Sequence, residues 1–284
     1  QVSSQHTLPL NVTMIPINNA LLCCTSPAVQ HVLHIACATA VAAGSIIKQQ
    51  FNQPHDIRKK GIINLVTETD LAVEAHILKA LQRETPGIPV MAEESSQSIS
   101  VRDQPLYWVV DPLDGTTNFA HGVPHFAVSI ALFEAQQPKV AAIYHPILDE
   151  LYCASLGGGA WLNDNRLRVT QTDTLIDALV ATGFPYDIEQ TLPQVISQLE
   201  RVLPAVRDIR RAGAAALDLA YVACGRLDGF YEINLQPWDT AAGWLLVTEA
   251  GGRLSDFNGA PYSPFVPQTL ATNGHLHSAL LNLL

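Results

Sequence analysis

Four apolar residues, Tyr107-Trp108-Val109-Val110, run directly into Asp111-Pro112-Leu113-Asp114-Gly115-Thr116-Thr117-Asn118. No other junction in the chain constrains its fold as tightly. A short apolar run bounded by turn residues reads as a buried strand. This strand must therefore deliver two carboxylates, three residues apart, to its carboxyl end beside a turn. Pro112 stiffens that turn, and Gly115 lets the backbone approach a ligand closely. Carboxylates and a backbone carbonyl are the hard oxygen donors that Mg²⁺ takes. If a helix begins near Gly115-Thr116, its free N–H groups face a bound phosphate. The alternative is an Asx-turn that caps a helix and carries no chemistry.

Two further acids stand in comparable places. Ala92-Glu93-Glu94-Ser95 follows another apolar strand, so Glu93 also sits at a strand end; adjacent glutamates alone read as a solvated loop. Pro237-Trp238-Asp239 opens an Ala/Gly-rich helix. There Asp239 lies in the first turn, where capping and a favourable interaction with the helix dipole are sufficient reasons for an acid.

Around these segments the chain reads as alternating elements. Residues 1–26 form an irregular arm without clear periodicity. Ser26-Pro27 resembles an N-cap followed by Pro at the first helical position, and Val29, Val32, Leu33, Ala36, Val41 and Ile47 give a helical face. Arg58 to Gly61 reads as a basic loop. Asp70 is expected to cap a second helix that ends at Pro86-Gly87. Strands follow at 88–92, 106–110, 126–133, 140–144, 151–154 and 160–162, with turns at 134–138, 157–159 and 163–164. Beyond Pro193 come helices at 193–206, 214–224 and 238–250, strands at 229–233 and 268–272, and a last helix to Leu284. The first half is mostly antiparallel and the second mixed, which suggests two sheet-containing halves sharing an interface, roughly 27–180 and 181–284.

Nearly half of the 284 residues are hydrophobic (48%) and 15% are charged, as in a compact globular protein. No uninterrupted apolar run reaches the ~18 residues of a membrane span, and Leu21-Leu22-Cys23-Cys24 is too short for a signal-peptide core. Five cysteines, an odd number without metal-like spacing, fit a reducing cytoplasm. A net charge of −10 weighs against nucleic-acid binding. It also repels a phosphate substrate, unless bound divalent cations reverse the local field.

Taken together, Asn64-Leu-Val-Thr-Glu-Thr-Asp70, Ala92-Glu-Glu-Ser95, Trp108-Val-Val-Asp-Pro-Leu-Asp-Gly-Thr-Thr-Asn-Phe119 and Trp238-Asp239 resemble, in order and spacing, the signature motifs of inositol monophosphatases. The resemblance runs from about Pro27 to Leu284 and leaves residues 1–26 outside it. It implies an α/β fold, a layered αβαβα sandwich, and normally a homodimer. It implies a Mg²⁺-dependent, lithium-sensitive phosphatase with two or three ions per site. Glu93, Asp111 and the Leu113 carbonyl would hold the first ion; Asp111, Asp114 and Asp239 the second; Glu93 would help with a weaker third. Gly115 and Thr116 N–H groups would meet the phosphate, and Asp70 and Thr116 would take a proton from the attacking water. Glu232 matches the position that bonds substrate hydroxyls, Ala215 falls in a segment lining the same pocket, and Lys59 matches a basic residue of a mobile loop over the site. The implied substrate is a small phosphorylated polyol or sugar, with inositol phosphate favoured. Histidinol phosphate and other sugar phosphates are the alternatives within the superfamily. A different class of role, binding to the transcription or RNA machinery, is known among bacterial relatives.

Several other features carry less. His121 and His125, separated by Gly and Pro, read as loop-shaping rather than Zn²⁺-binding. Gly157-Gly158-Gly159 lacks the Lys-Ser/Thr of a P-loop and reads as a hairpin turn. Asp218 is the odd residue in an otherwise apolar helix; Arg210-Arg211 could contact a substrate or a neighbouring subunit, with surface exposure the default.

Overall fold

The computed structural model describes residues 15–53, 57–59, 65–95 and 99–284. Helices α1 (Asn18–Leu22) and α2 (Pro27–Gln50) precede a two-stranded ribbon, β1 (Ile57–Lys59) and β2 (Leu65–Thr67), and helix α3 (Glu68–Glu84). A seven-stranded sheet follows, built in chain order from β3 (Val90–Ala92), β4 (Leu106–Asp114), β5 (Ala127–Glu134), β6 (Gln137–His145), β7 (Glu150–Ser155), β8 (Gly159–Leu162) and β9 (Asn165–Arg166). The short helix α4 (Thr116–Ala120) follows β4. The remaining strands are β10 (Leu179–Thr182), β11 (Asp208–Arg210), β12 (Gly229–Ile233), β13 (Arg253–Ser255) and β14 (Gln268–Thr272). They form a five-stranded sheet in the order β11-β10-β12-β14-β13. Helices α5 (Ile188–Val202), α6 (Ala215–Ala223), α7 (Pro237–Glu249) and α8 (His277–Leu281) complete the chain's elements.

The pleat explains the layering. Trp108 and Val110 of β4 face a core shared with Leu33, Ala36, Ala40 and Ile47 of α2 and Val73, Ile77 and Leu81 of α3. Tyr107 and Val109 face the opposite side, into a core with Leu217 and Ala220 of α6 and Leu245 and Leu246 of α7. That second core continues to Ala181, Phe230 and Ala271 of the smaller sheet. The other face of the smaller sheet, with Val180, Tyr231 and Leu270, packs on Val202 of α5 and Leu280 of α8. The order is therefore α2/α3, large sheet, α6/α7, small sheet, α5/α8: an αβαβα sandwich. Strands covered on both faces need apolar side chains at successive positions, which is why β4 to β7 read as continuous apolar runs. The large sheet is antiparallel apart from the β3–β4 pair, and the small sheet is mixed.

Four local expectations change. Residues 18–22 of the arm are helical, held by Asn19 N–H donating to Asp164 Oδ1 at 2.7 Å. Arg58 and Lys59 lie in a strand, with Arg58 opposite Val66, rather than in a loop; Lys60, Gly61 and Asn64 fall outside the described residues. Helix α5 begins at Ile188, so Pro193 lies inside it as the sixth residue, where its missing N–H leaves the Glu189 carbonyl without an intrahelical partner. Asp70 is not the N-cap of α3; Thr67 is, and Asp70 stands at the third helical position of a capping box.

Helix α2 also departs from the expectation that no segment is long and apolar enough to cross a membrane. Its 24 residues include an 18-residue window of mean hydropathy 1.4. Polar residues interrupt its apolar run, so counting uninterrupted residues missed it. Here it buries that surface against the large sheet and α3, as a core helix.

Candidate active site

Strand β4 carries the first two acids, and its irregularity decides where they point. In a regular strand Asp111 and Asp114, three apart, would face opposite sides of the sheet. Asp111 pairs with Ser129 but Asp114 with Ala127, so three steps along β4 are matched by two along β5. This bulge absorbs the extra residue and turns both carboxylates to one side. Asp111 Oδ1 accepts the Leu113 N–H at 2.9 Å, which fixes the bend. Gly115 follows at φ 92°, a left-handed conformation open to glycine, and α4 begins one residue later. A Cβ at Gly115 would lie 3.0 Å from the His125 carbonyl oxygen.

The third acid arrives from the helix layer that packs on the large sheet. Asp239, at the third position of α7, has its carboxylate returned to the Gln236 N–H at 2.7 Å. Its oxygen lies with those of Asp111 and Asp114 in a group whose atoms are all within 4.8 Å of one another. The first turn of α6 supports the same cluster, since Ala216 N–H donates to Asp114 Oδ2 at 2.9 Å. Burial, then the charge of Glu93 and those of Asp114 and Asp239, hold the Asp111 carboxyl well above the usual carboxylate range. Burial and Asp239 do the same to Asp114, and burial lifts half-buried Asp239 to about 6. Among the described residues no lysine or arginine forms an ion pair with any of the three. Three neighbouring carboxylates without a counter-charge, all oxygen donors, fit a divalent cation such as Mg²⁺.

Glu93 stands just beyond β3, half-buried, with its N–H donating to the Val110 carbonyl at 3.3 Å. Its charge is the largest of the neighbouring charges acting on Asp111. The Leu113 carbonyl oxygen lies 3.0 Å from the Thr116 hydroxyl, a second acceptor within reach of its single hydrogen.

Asp70 and Thr116 meet across the same wall. Thr116 Oγ1 donates to Asp70 Oδ1 at 2.9 Å, while Asp70 Oδ2 accepts the Thr67 N–H at 2.8 Å and the Thr67 hydroxyl at 2.5 Å. Burial is the largest influence on Asp70 and raises it despite these donors. The Lys59 backbone is in β1; its side chain is outside the described set.

A cavity of about 330 Å³ opens beside the acids, lined by Asp114, Gly115, Ala215, Glu232 and Asp239 among others. Glu232 extends from β12 and packs on Gly183, where a Cβ would come within 2.0 Å of its carboxylate. Three residues that sequence reasoning left aside belong to this wall: Gly183, Arg211 and Asp218. Arg211 stacks over the Phe184 ring at 5.1 Å. Asp218, a lone acid on an apolar helix, and Arg211, in a basic pair, had signals in the sequence; Gly183 had none. A larger recess of about 980 Å³ adjoins the cavity through Tyr186, Asn234, Leu235 and Gln236 and contains none of the clustered acids.

Comparison with known proteins now adds a second line of support. The profile of the Inositol monophosphatase family matches residues 28–284. The chain is 43% identical over 251 residues to "Nus factor SuhB" of Salmonella typhimurium, covering 88% of this chain and 94% of that one. It is 42% identical over 256 residues to "Inositol monophosphatase 2" of Solanum lycopersicum, covering 88% and 96%. The crystal structure of the extragenic suppressor protein suhB from Bartonella henselae superposes with a TM-score of 0.84 at 40% identity, covering 89% of this chain and 97% of that one. Four sequence motifs, the five-layer fold and these relatives agree: the chain belongs to the inositol monophosphatase family.

Proposed function

We propose that the protein hydrolyses phosphate monoesters of small polyols, an inositol monophosphate foremost, with Mg²⁺ held by Glu93, Asp111, Asp114, Asp239 and the Leu113 carbonyl. The observation that carries this reading is the convergence of Asp111, Asp114 and Asp239 within 4.8 Å, without a protein counter-charge among the described residues, beside a substrate-sized cavity that Asp114 and Asp239 line. When bound, the ions supply positive charge that offsets the charge of the ester and of the attacking oxygen.

The chain's own residues do the rest. A water bonded to Thr116 Oγ1 can pass its proton to that hydroxyl as the hydroxyl passes its own to Asp70 Oδ1, 2.9 Å away. Burial raises the proton affinity of Asp70, which suits an acceptor. Gly115 leaves room for a phosphate oxygen where the chain turns into α4. Glu232 and Ala215 line the same cavity, where the hydroxyls of the leaving group would meet them.

The test is phosphate release from a panel of monoesters at matched concentration: inositol 1-phosphate, histidinol phosphate, a hexose phosphate and 4-nitrophenyl phosphate. Activity should require Mg²⁺, disappear in Asp111→Asn, and be inhibited by Li⁺ and by excess Ca²⁺. Full turnover after exhaustive EDTA treatment would overturn the reading. Light scattering checks the homodimer that the family implies. The name of the 43% identical Salmonella relative, a Nus factor, favours a second reading, association with the transcription machinery. Specific retention of RNA polymerase components by Asp111→Asn protein, beyond a mock bait, would support that role independently of catalysis.

A further inference from the structure

The recess of about 980 Å³ beside the catalytic cavity differs from it in chemistry as well as in size. The cavity wall carries Asp114, Asp218, Glu232 and Asp239. The recess is walled mainly by apolar and aromatic side chains, Tyr186, Leu235, Trp238, Phe265 and Val266 among them, and by three prolines. Asp187, the one acid of that wall among the described residues, already accepts from Asn234 Nδ2 at 2.9 Å. Arg102 is the one cation, and its guanidinium lies over the Phe265 ring, 5.6 Å from the centre.

Local structure places these walls against the acids. Asn234, at φ 61°, ends the run of β12, and Leu235 and Gln236 lead from it into Pro237, the first residue of α7. Trp238 then lines the recess, while Asp239, the next residue, joins the acid cluster. Tyr186 stands between the two spaces, lines both, and is 60% exposed. Single apolar residues on a surface are ordinary, but a concave apolar wall that opens into a site with convergent polar groups is how small-molecule sites are built.

Continuity and charge identify the occupant. Because Tyr186, Asn234, Leu235 and Gln236 line both spaces, a molecule held at the acids can extend into the recess without leaving the protein. Aromatic walls favour a planar ring, through offset or edge contacts. Arg102 favours a negative group carried on that ring.

We propose that the recess is a second binding site for the alcohol portion of the substrate, one that takes an aromatic ring and sets a negatively charged group on it against Arg102. The protein then acts on aryl and arylalkyl phosphates large enough to reach the recess, besides the compact polyol esters that the smaller cavity holds. This rests on the phosphatase reading given above.

The experiment measures, by calorimetry at saturating Mg²⁺, the binding of three phosphonates that cannot be hydrolysed: methylphosphonate, 2-naphthylmethylphosphonate and its 6-carboxy derivative. Wild type, Phe265→Ala and Arg102→Ala are compared, and phosphate release from inositol 1-phosphate is followed on the same samples. Wild type should bind the naphthyl compound at least about 10-fold more tightly than methylphosphonate. Phe265→Ala should weaken the naphthyl compound by roughly 5–30-fold and leave methylphosphonate and the KM for inositol 1-phosphate within about 2-fold. Arg102, with its side chain 46% exposed, can be replaced without opening the core. Arg102→Ala should weaken the carboxylated compound alone, by about 2–5-fold, and it carries the test if Phe265→Ala fails to fold. Equal wild-type affinity for the methyl and naphthyl compounds, or no effect of either substitution, overturns the inference. So does a Phe265→Ala protein whose oligomeric state changes by light scattering while all three compounds bind normally, because the recess is then a contact between subunits. If wild type releases no phosphate from inositol 1-phosphate, the phosphatase reading has failed and takes the inference with it; if phosphate is released and the naphthyl group adds nothing to binding, only the inference has failed.

Discussion

Replacing Asp70 by Asn separates two tasks that one carboxylate performs. Oδ2 accepts two hydrogen bonds from Thr67 and closes the capping box of α3, while Oδ1 accepts the Thr116 hydroxyl. Asparagine keeps one oxygen and turns the other into an NH₂ donor. With the amide oxygen toward Thr67 the cap survives. The NH₂ then faces Thr116 Oγ1, and the hydroxyl must direct its hydrogen to the Leu113 carbonyl 3.0 Å away. The flipped amide would set a donor against two Thr67 donors and break the cap, so the first orientation wins. Exchanging a charged acceptor for a neutral one costs about 1–3 kcal/mol. At about 2–4 °C per kcal/mol that lowers the melting temperature by roughly 2–12 °C.

The chemical loss is separate and larger. In the surviving orientation Thr116 has nowhere to send a proton, so general-base assistance of ~10²–10⁴-fold in kcat should vanish. Mg²⁺ affinity should stay, because none of the clustered acids is touched. The assay is kcat at saturating inositol 1-phosphate and Mg²⁺, with thermal melting of the same samples. A folded Asp70→Asn protein with near-normal kcat would refute the base role and leave Asp70 only the cap.

Other outcomes follow from the same geometry. Burial raises the folded-state pKa of Asp239 to about 6 from an ordinary 3.8; the stability held in its protonated form is present below about 4 and lost as pH rises through 6. Asp111 and Asp114 shift in the same direction. The stabilisation by added Mg²⁺ over EDTA-treated protein should therefore grow between pH 5 and 8, and a pH-independent difference in melting temperature would argue against these acids as ligands. Glu232→Gln should raise KM for inositol phosphate by roughly 10–150-fold and leave the aryl phosphate nearly unchanged; equal effects would remove Glu232 from polyol recognition. Gly183→Ala places a methyl where the Glu232 carboxylate now lies. It should reproduce the Glu232→Gln pattern in an otherwise folded protein, and wild-type KM values for both esters would show that the carboxylate can relocate without consequence.

Local chemistry made much of this protein legible in its sequence. The apolar run of β4, the Ser26-Pro27 start of α2 and the Pro237 start of α7 follow from short-range preferences of backbone and side chain, and they appear where those preferences put them. The turn between β5 and β6 is likewise local, with Ala135 and Gln136 both at positive φ. Site chemistry was partly legible because several motifs place acids at the ends of apolar segments in one characteristic order, although each acid alone has a structural explanation. What the sequence could not determine is long-range. The five-layer order depends on which faces bury each other, and a strand covered on both sides carries no alternation to say which neighbour lies where. Residue spacing alone would send Asp111 and Asp114 to opposite faces; the bulge against Ser129 and Ala127, a property of the β4–β5 pairing, brings them together. Asp239 joins them from over a hundred residues away only because α7 packs on the large sheet. Gly183 and Asp218 gained meaning in the same way: a glycine and a lone acid are ambiguous in a string, and only packing sets one under the Glu232 carboxylate and the other, unpaired, on the cavity wall.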